Sequence, residues 1–393
     1  METRFSYIDH LECSRCGKRY EAESLQNTSL CCERPLLVKY DLAALARAGM
    51  PADLAGREAT MWRYHELLPV RSKTAIVSLG EGMTPLLAMP QLGPTGIAGQ
   101  VNLLVKDEGL NPTGSFKARG MAAAVSRAIE LGAKGLVAPT AGNAGAALAA
   151  YAARAGLPAC VVLPQDTPRT YIEQSRKYGA EVKLVPGLIS DAGQVAAQVA
   201  RERGWFNLAT LKEPYRAEGK KTMGLELAEQ MSWRLPDVII YPAGGGTGIV
   251  GMWKAFRELQ ELGWLQEKRL PRLVIVQAEG CAPLVRAFLA GKEEAEAWPS
   301  GQARTQAMGL RVPSAIGDRL ILQAIRESGG TALTVGDAAM VQMAEYAARR
   351  GGILASLEAA ATLAAYHELL ARQEIGARSQ TVLFFTGSGW EGR

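Results

Sequence analysis

The sequence predicts an α/β chain built on mainly parallel strands, and three observations predict it. From about Thr74 onward, short apolar runs of strand length alternate with Ala-rich runs of helix length. Loops of glycine and other small residues stand between several of those strands and the helices that follow them. The 393 residues also exceed one small module, so two or three domains are expected.

The elements follow in chain order. The first forty residues hold four of the six cysteines in a short polar segment that ends in the apolar run Leu36 to Tyr40. A helix-like pattern around 41–47 and an aromatic pair, Trp62 and Tyr64, lead into the alternating part. Strands are expected at 101–106, 135–138, 159–163, 181–185, 237–241, 273–277 and 381–385, where apolar and β-branched residues cluster. Helices are expected at 116–131, 144–155, 194–204, 216–230 and 249–261. Residues 291–309 are polar and apolar-poor, which reads as a surface loop, and no internal repeat is visible.

Composition narrows the function. An apolar share of 48% with 21% charged residues argues against a disordered tail or a coiled coil. There is no run of about 20 apolar residues, so no membrane span is expected. The first residues lack the apolar core of a signal peptide, and six cysteines in a chain this long do not read as a disulfide framework. A cytoplasmic location is expected. A net charge of +5 is too thin and scattered for a nucleic-acid partner, but it suits a small anionic substrate. The three histidines, His10, His65 and His367, make a histidine triad or a multi-histidine metal site a poor reading.

Four motifs carry chemistry. Asn111-Pro-Thr-Gly-Ser-Phe-Lys117-Ala-Arg-Gly120 makes a turn, with Ser115 as a helix N-cap and Lys117 in the first helical turn. A structural cation is unfavourable there, and the helix dipole should help lower the amine's pKa, as a nucleophile requires. Thr140-Ala-Gly-Asn143 joins a strand to an Ala-rich helix and reads either as an anion site or as a plain cap. Gly244-Gly245-Gly246-Thr247-Gly248 follows a strand as a phosphate cradle. Through Gly246, Gly248 and Gly251 it also matches a dinucleotide fingerprint, with Glu279 as a distant ribose acid, so a nicotinamide dehydrogenase is the rival reading. Thr386-Gly-Ser388 closes the last apolar strand, where α/β ligand sites form.

In this order the motifs resemble the fold-type II pyridoxal-phosphate enzymes, and among them the threonine synthase family. The lysine segment resembles the Schiff-base lysine motif. The match continues through Ser78-Leu-Gly-Glu-Gly-Met-Thr84-Pro-Leu86, the Asn143 loop, Arg216-Ala-Glu-Gly-Lys-Lys221-Thr222, the glycine loop and Thr386. The resemblance implies a larger cofactor domain (60–113 and 207–393) and a smaller one (114–206), each an open sheet, with pyridoxal 5'-phosphate in the cleft between them. It implies that Lys117 bonds the cofactor and that Asn143 meets the ring hydroxyl oxygen. It places the cofactor phosphate on Gly244, Gly245, Gly246, Thr247 and Gly248, and Thr386 at the pyridine nitrogen. Ser78, Thr84, Thr140, Ala141, Gly142 and Arg216, with Lys220 or Lys221, would hold the substrate. The implied reaction converts O-phosphohomoserine and water to threonine and phosphate. A homo-oligomer, a dimer, is also expected.

There are departures. Ala141 and Ala144 stand where the family has hydroxyls, and Ser388 where many relatives have histidine. These keep open a sister activity: a threonine or serine dehydratase, or a phosphoserine β-replacement enzyme such as cysteate synthase. A catalytically dead binding protein is a further alternative, against which the intact Lys117 speaks. Residues 1–41 resemble a zinc-ribbon-like head. Cys13 and Cys16 have the spacing of a zinc knuckle, and the adjacent Cys31 and Cys32 would complete four ligands only with strain. Zinc and an empty ribbon both remain open.

Overall fold

The computed structural model describes residues 4–389. The head is a three-stranded antiparallel sheet of β1 (Ile8–Cys13), β2 (Arg19–Glu21) and β3 (Leu36–Tyr40), in the order β2-β1-β3. Alternation along β3 buries Leu36, Val38 and Tyr40 and leaves Leu37 and Lys39 only partly covered, as a one-sided sheet requires. Asp41 then caps the helix Leu42–Ala48 by accepting the Ala44 N–H at 2.9 Å.

The remaining strands are β4 (Leu86–Ala88), β5 (Leu103–Asp107), β6 (Leu136–Pro139), β7 (Ala159–Pro164), β8 (Glu181–Val185), β9 (Phe206–Asn207), β10 (Val238–Pro242), β11 (Arg272–Ala278), β12 (Thr331–Val335) and β13 (Thr381–Phe385). They form two sheets. One is six-stranded, β12-β11-β10-β13-β5-β4, and is parallel except where β4 pairs antiparallel with β5. The other, β8-β7-β6-β9, is parallel throughout. Strands β6, β7, β10 and β13 are buried along their whole length. Continuous apolar runs, rather than alternation, are what two covered faces demand.

All seven expected strands form, within two residues of their expected ends. The expected helix at 194–204 is Ile189–Arg203 instead. It starts five residues earlier because Asp191 accepts the Leu188 N–H at 2.7 Å and caps the first turn. The pattern does not single out β12 or the helices Asp318–Glu327, Asp337–Gly351 and Leu357–Ala371. The last of these starts where Ser356 accepts the Ala359 N–H. Residues 291–307 are irregular and mostly exposed, as expected of a surface loop. Among the described residues, no helix is long and apolar enough to cross a membrane.

Strands β10, β13 and β5 are neighbours and parallel, so their carboxyl ends lie side by side. The glycine loop follows β10, Thr386 follows β13, and the Lys117 segment follows β5. Ligand sites in open α/β sheets form at this edge.

Beneath that edge lies a closed ion network. The fully buried Arg119 guanidinium grips Glu108 through Nε and Nη2, each at 2.7 Å, and reaches Glu226 Oε2 through Nη1 at 2.7 Å. Lys106 Nζ pairs with Glu226 as well and donates to the Thr84 carbonyl at 2.6 Å. Burial acts to raise the pKa of the Glu226 carboxyl, but Arg119 and Lys106 outweigh it and hold it at about 2. Two buried cations face two buried carboxylates, so no charge is left uncompensated.

Candidate active site

Lys117 begins the helix Lys117–Glu130. The segment before it is stitched to the end of β13. Phe116 donates its N–H to the Thr386 carbonyl and Ser388 donates to the Gly114 carbonyl, both at 3.0 Å. Thr113 and Gly114 take positive φ values of 60° and 71°, which produce the sharp Thr-Gly bend. Ser115 Oγ accepts the Lys117 N–H at 3.4 Å. The Lys117 amine lies 3.9 Å from the centroid of the Phe116 ring. Its pKa is lowered to about 7, first by burial and then by Arg216, while Glu358 acts in the opposite direction. The sequence credits the helix terminus with this effect; removal from water is the larger cause.

Two more buried cations stand with it. Arg216 sits in the first turn of the helix Tyr215–Gln230 and donates Nη1 to the Leu208 carbonyl at 2.6 Å, while its buried Nε has no partner among the described residues. Lys220, one turn on, places Nζ 5.2 Å from the Phe116 centroid, also without a partner. Glu213 is the carboxylate nearby, and its oxygens accept the N–H groups of Tyr215 (2.7 Å) and Arg216 (3.0 Å). Three basic side chains thus stand against Glu213, with Glu358 acting on Lys117 as well, and Arg216 Nε and Lys220 Nζ are left without partners among the described residues.

Lys221 does not join them. Its amine pairs with Glu218 at 2.7 Å and Glu258 at 2.8 Å and lies over the Tyr40 ring at 3.9 Å. Lys254 and the Tyr40 hydroxyl also meet Glu218 there, which ties the head to the six-stranded sheet's helices. Consecutive helical residues point about 100° apart, so Lys220 and Lys221 serve different faces. Thr84 is likewise spoken for: its hydroxyl donates to Glu108 at 2.7 Å and accepts from Arg119 at 3.1 Å, inside the closed network. Ser78 accepts the Gly80 N–H within its own turn.

Asn143 opens the helix Asn143–Ala155. Its Oδ1 is buried and unpartnered among the described residues, and a Cβ built on Gly387 would lie 3.7 Å from its Nδ2. Gly142 has φ 150° and ψ −115°, a conformation open to glycine, and a Cβ there would press on the Tyr171 ring at 3.1 Å. Thr140 uses its hydroxyl inside the loop, accepting the Gly142 N–H at 3.1 Å. Ala141 is half-buried beside it.

In the glycine loop, Gly246 holds the left-handed cap position (φ 73°) of the helix Thr247–Glu261. A Cβ on Gly245 would meet Thr210 Cγ2 at 2.8 Å, and one on Gly244 would collide with the Gly309 carbonyl. The backbone N–H groups of residues 244–248 make no hydrogen bond to another described residue. Free donors at a helix N-terminus fit a phosphate, and the orphaned Asn143 amide and the Thr386 hydroxyl fit a polar ring nearby. These residues suit pyridoxal phosphate.

The family model described as pyridoxal-phosphate dependent enzyme matches residues 77–387. The threonine synthase of Methanocaldococcus jannaschii is 36% identical over 378 residues, 96% of this chain and 91% of that protein. The chain belongs to the threonine synthase family of pyridoxal-phosphate dependent enzymes. A solved T.th. threonine deaminase is similar at 30% identity (TM-score 0.62, 78% of this chain and 92% of that one). Maize serine racemase shares the fold at 24% identity (TM-score 0.67, 78% and 88%). Family membership makes this a pyridoxal-phosphate enzyme of the lyase type and removes the dehydrogenase reading. Gly251, the last glycine of that fingerprint, serves helix packing: a Cβ there would lie 2.7 Å from the Ala217 carbonyl.

Spacing gives no sign of several residues that close the site. Phe116 is the platform for both lysines. Gly309 backs Gly244 and donates its N–H to Glu358 at 2.7 Å, so the end of the surface loop reaches the cradle. Glu358 lies in the first turn of the helix Leu357–Ala371, and the effect of its charge on Lys117 emerges only in three dimensions.

In the head, the four thiol sulfurs of Cys13, Cys16, Cys31 and Cys32 lie within 4.8 Å of one another. A tetrahedral zinc site with bonds of about 2.3 Å sets its sulfurs roughly 3.8 Å apart, so the donor set fits. Cys31 and Cys32 reach it together because their turn is closed by Glu33 N–H to the Ser29 carbonyl (2.8 Å), with Glu33 at φ 52°.

The Lys117 pKa gives a pH dependence. If Lys117 is the amine that bonds the cofactor, only its neutral form attacks the aldehyde of pyridoxal phosphate added to cofactor-free protein. The rate of cofactor capture is therefore expected to rise as pH climbs toward about 7 and to level off above it. Absorbance time courses check this. A rate still climbing toward about pH 10, as for an ordinary lysine, would contradict the buried environment.

Proposed function

We propose that this enzyme converts O-phosphohomoserine and water to threonine and phosphate, with the cofactor in a cleft between a larger domain (60–113 and 207–393) and a smaller one (114–206). Two things support the reading. The curated threonine synthases resemble the chain over nearly its full length. The observation that carries it is the pair of buried basic side chains beside Lys117, Arg216 and Lys220, whose Nε and Nζ have no partner among the described residues; donors left free there call for a substrate with an anionic group beyond its carboxylate.

Bound pyridoxal phosphate supplies an electron sink that makes the substrate's Cα–H acidic. Thr386 offers the pyridine nitrogen a hydroxyl, not a carboxylate, so this chain does not hold a proton on the ring. The N–H groups of Gly244 to Gly248, with Thr247, hold the cofactor phosphate at a helix N-terminus, and Asn143 orients the ring through its amide. The Lys117 amine, with its pKa lowered to about 7, moves the protons at Cα and Cβ and, once phosphate has left, delivers one to Cγ to form the methyl group. Arg216 takes the phosphate that leaves Cγ, and water adds at Cβ. The Thr140–Gly142 loop binds the substrate carboxylate through its backbone. Ala141 and Ala144 offer it no hydroxyl, which puts more of the recognition on the cations.

A substrate panel tests this, with phosphate and ketoacid release measured side by side. O-phosphohomoserine is expected to yield threonine and phosphate. Arg216→Ala should slow that reaction about ten- to a hundredfold, the usual cost of removing one charged hydrogen-bond partner, with far less effect on serine or threonine. No turnover of O-phosphohomoserine, with brisk ammonia release from threonine or sulfite addition to phosphoserine, would move the enzyme to a sister activity.

The zinc-ribbon-like head is the second part of the proposal: Cys13, Cys16, Cys31 and Cys32 hold one structural zinc as a closed four-thiolate site. Metal analysis is expected to find about one zinc per chain. Chelation should speed hydrogen exchange in β1–β3 while the cofactor stays bound. Metal-free protein with an equally protected head would overturn this.

A further inference from the structure

Among the described residues, three lysines are fully buried: Lys106, Lys220 and Lys221. Lys106 is paired with Glu226, and Lys221 with Glu218 and Glu258. Lys220 has neither a hydrogen-bond partner nor an ion pair among the described residues. Its place is nevertheless well defined. A Cβ built on Gly120 would lie 2.9 Å from its Nζ and 3.0 Å from the Arg216 carbonyl, so the amine packs directly against Gly120. The amine thus sits between its own helix and the Lys117 helix, beside the ring that carries the Lys117 amine.

The charged groups that face it are few. Lys117 comes from the neighbouring helix, Arg216 from one turn back on its own, and Glu213 from the turn before that helix. Glu213 already accepts two backbone N–H groups. An ammonium without a partner in such surroundings is too costly to persist. Burial first, then Arg216 and Lys117, push the Lys220 pKa well below the ordinary lysine value. An arriving dianion reverses that balance, because it supplies the missing countercharge and accepts the N–H bonds.

We propose that Lys220 is a ligand of the substrate's second acidic group, beside Arg216, and takes up a proton as that anion binds. The proton comes from solvent: the neutral amine becomes an ammonium that donates to an anion oxygen, and release of the anion returns the proton. This rests on the reading that the substrate carries a phosphate, but its test does not require turnover.

Inorganic sulfate is the probe, because it is a dianion with no proton of its own to exchange near neutral pH. Calorimetric titration of the holoenzyme, whose glycine loop is already filled by the cofactor, is run at one pH near 8 in buffers of different ionisation heat. Sulfate is expected to bind with uptake of about one proton, while the cofactor's visible band stays fixed. Lys220→Met keeps the apolar stem and removes the amine. It should bind sulfate about ten- to a hundredfold more weakly and without proton uptake, at a melting temperature no lower than wild type. Sulfate binding to wild type without proton uptake overturns the proposal, as does undiminished uptake or affinity in Lys220→Met. Should that variant fail to fold, the wild-type proton count still decides. Proton uptake on sulfate, with no turnover of O-phosphohomoserine, would keep this subsite and sink the substrate reading alone.

Discussion

The rest of the site depends on the grip of Arg119 on Glu108 and Glu226. Arg119 lies two residues after Lys117, and its guanidinium fork meets one carboxylate two-fold and a second carboxylate from another helix. That contact locks the Lys117 helix to the end of β5 and to the Tyr215–Gln230 helix at once. The network also collects loops: Thr84 bonds Glu108 and Arg119, and Asn111 donates to Glu108 at 2.8 Å while accepting the Gly82 N–H. Truncating one member of such a buried set costs about 3–5 kcal/mol, because a charge is left stranded. Lys117 is therefore aimed by a rigid frame rather than by its own loop.

Set beside that network, the cluster of Lys117, Arg216 and Lys220 shows the opposite design. The first is balanced and fully hydrogen-bonded. The second has three basic side chains, a Glu213 already occupied by backbone N–H groups and unpartnered donors at Arg216 Nε and Lys220 Nζ. Polar groups buried without partners are rare in folded proteins and tend to mark functional sites. The unpaired Asn143 Oδ1 and the free N–H groups of the glycine loop fit the proposed place of the cofactor in the same way.

Much of this was legible in the sequence, for physical reasons. Apolar strand runs, the small-residue loops after β6 and β10 and the Thr-Gly bend before Lys117 are local signals, and each formed where the residues implied. What sequence could not resolve was direction. Lys220 and Lys221 are adjacent and chemically identical, yet one faces the site and the other Glu218 and Glu258. Thr84 sits in the right segment, but its hydroxyl is consumed by Glu108. Glu358, in the first turn of the helix Leu357–Ala371, and Gly309 and Thr210 are distant from the glycine loop in sequence, and only packing brings them to the cradle. The depressed Lys117 pKa was also expected for a lesser reason: burial, which cannot be read from one residue's neighbours in sequence, contributes most.

The central claim is that Lys117 is the residue that bonds the cofactor. The most direct measurement is borohydride reduction of the purified holoenzyme followed by peptide mapping. The account expects a single pyridoxyl-labelled peptide, modified at Lys117 and at neither Lys220 nor Lys221. A label on either of those lysines, or on any other, would contradict it.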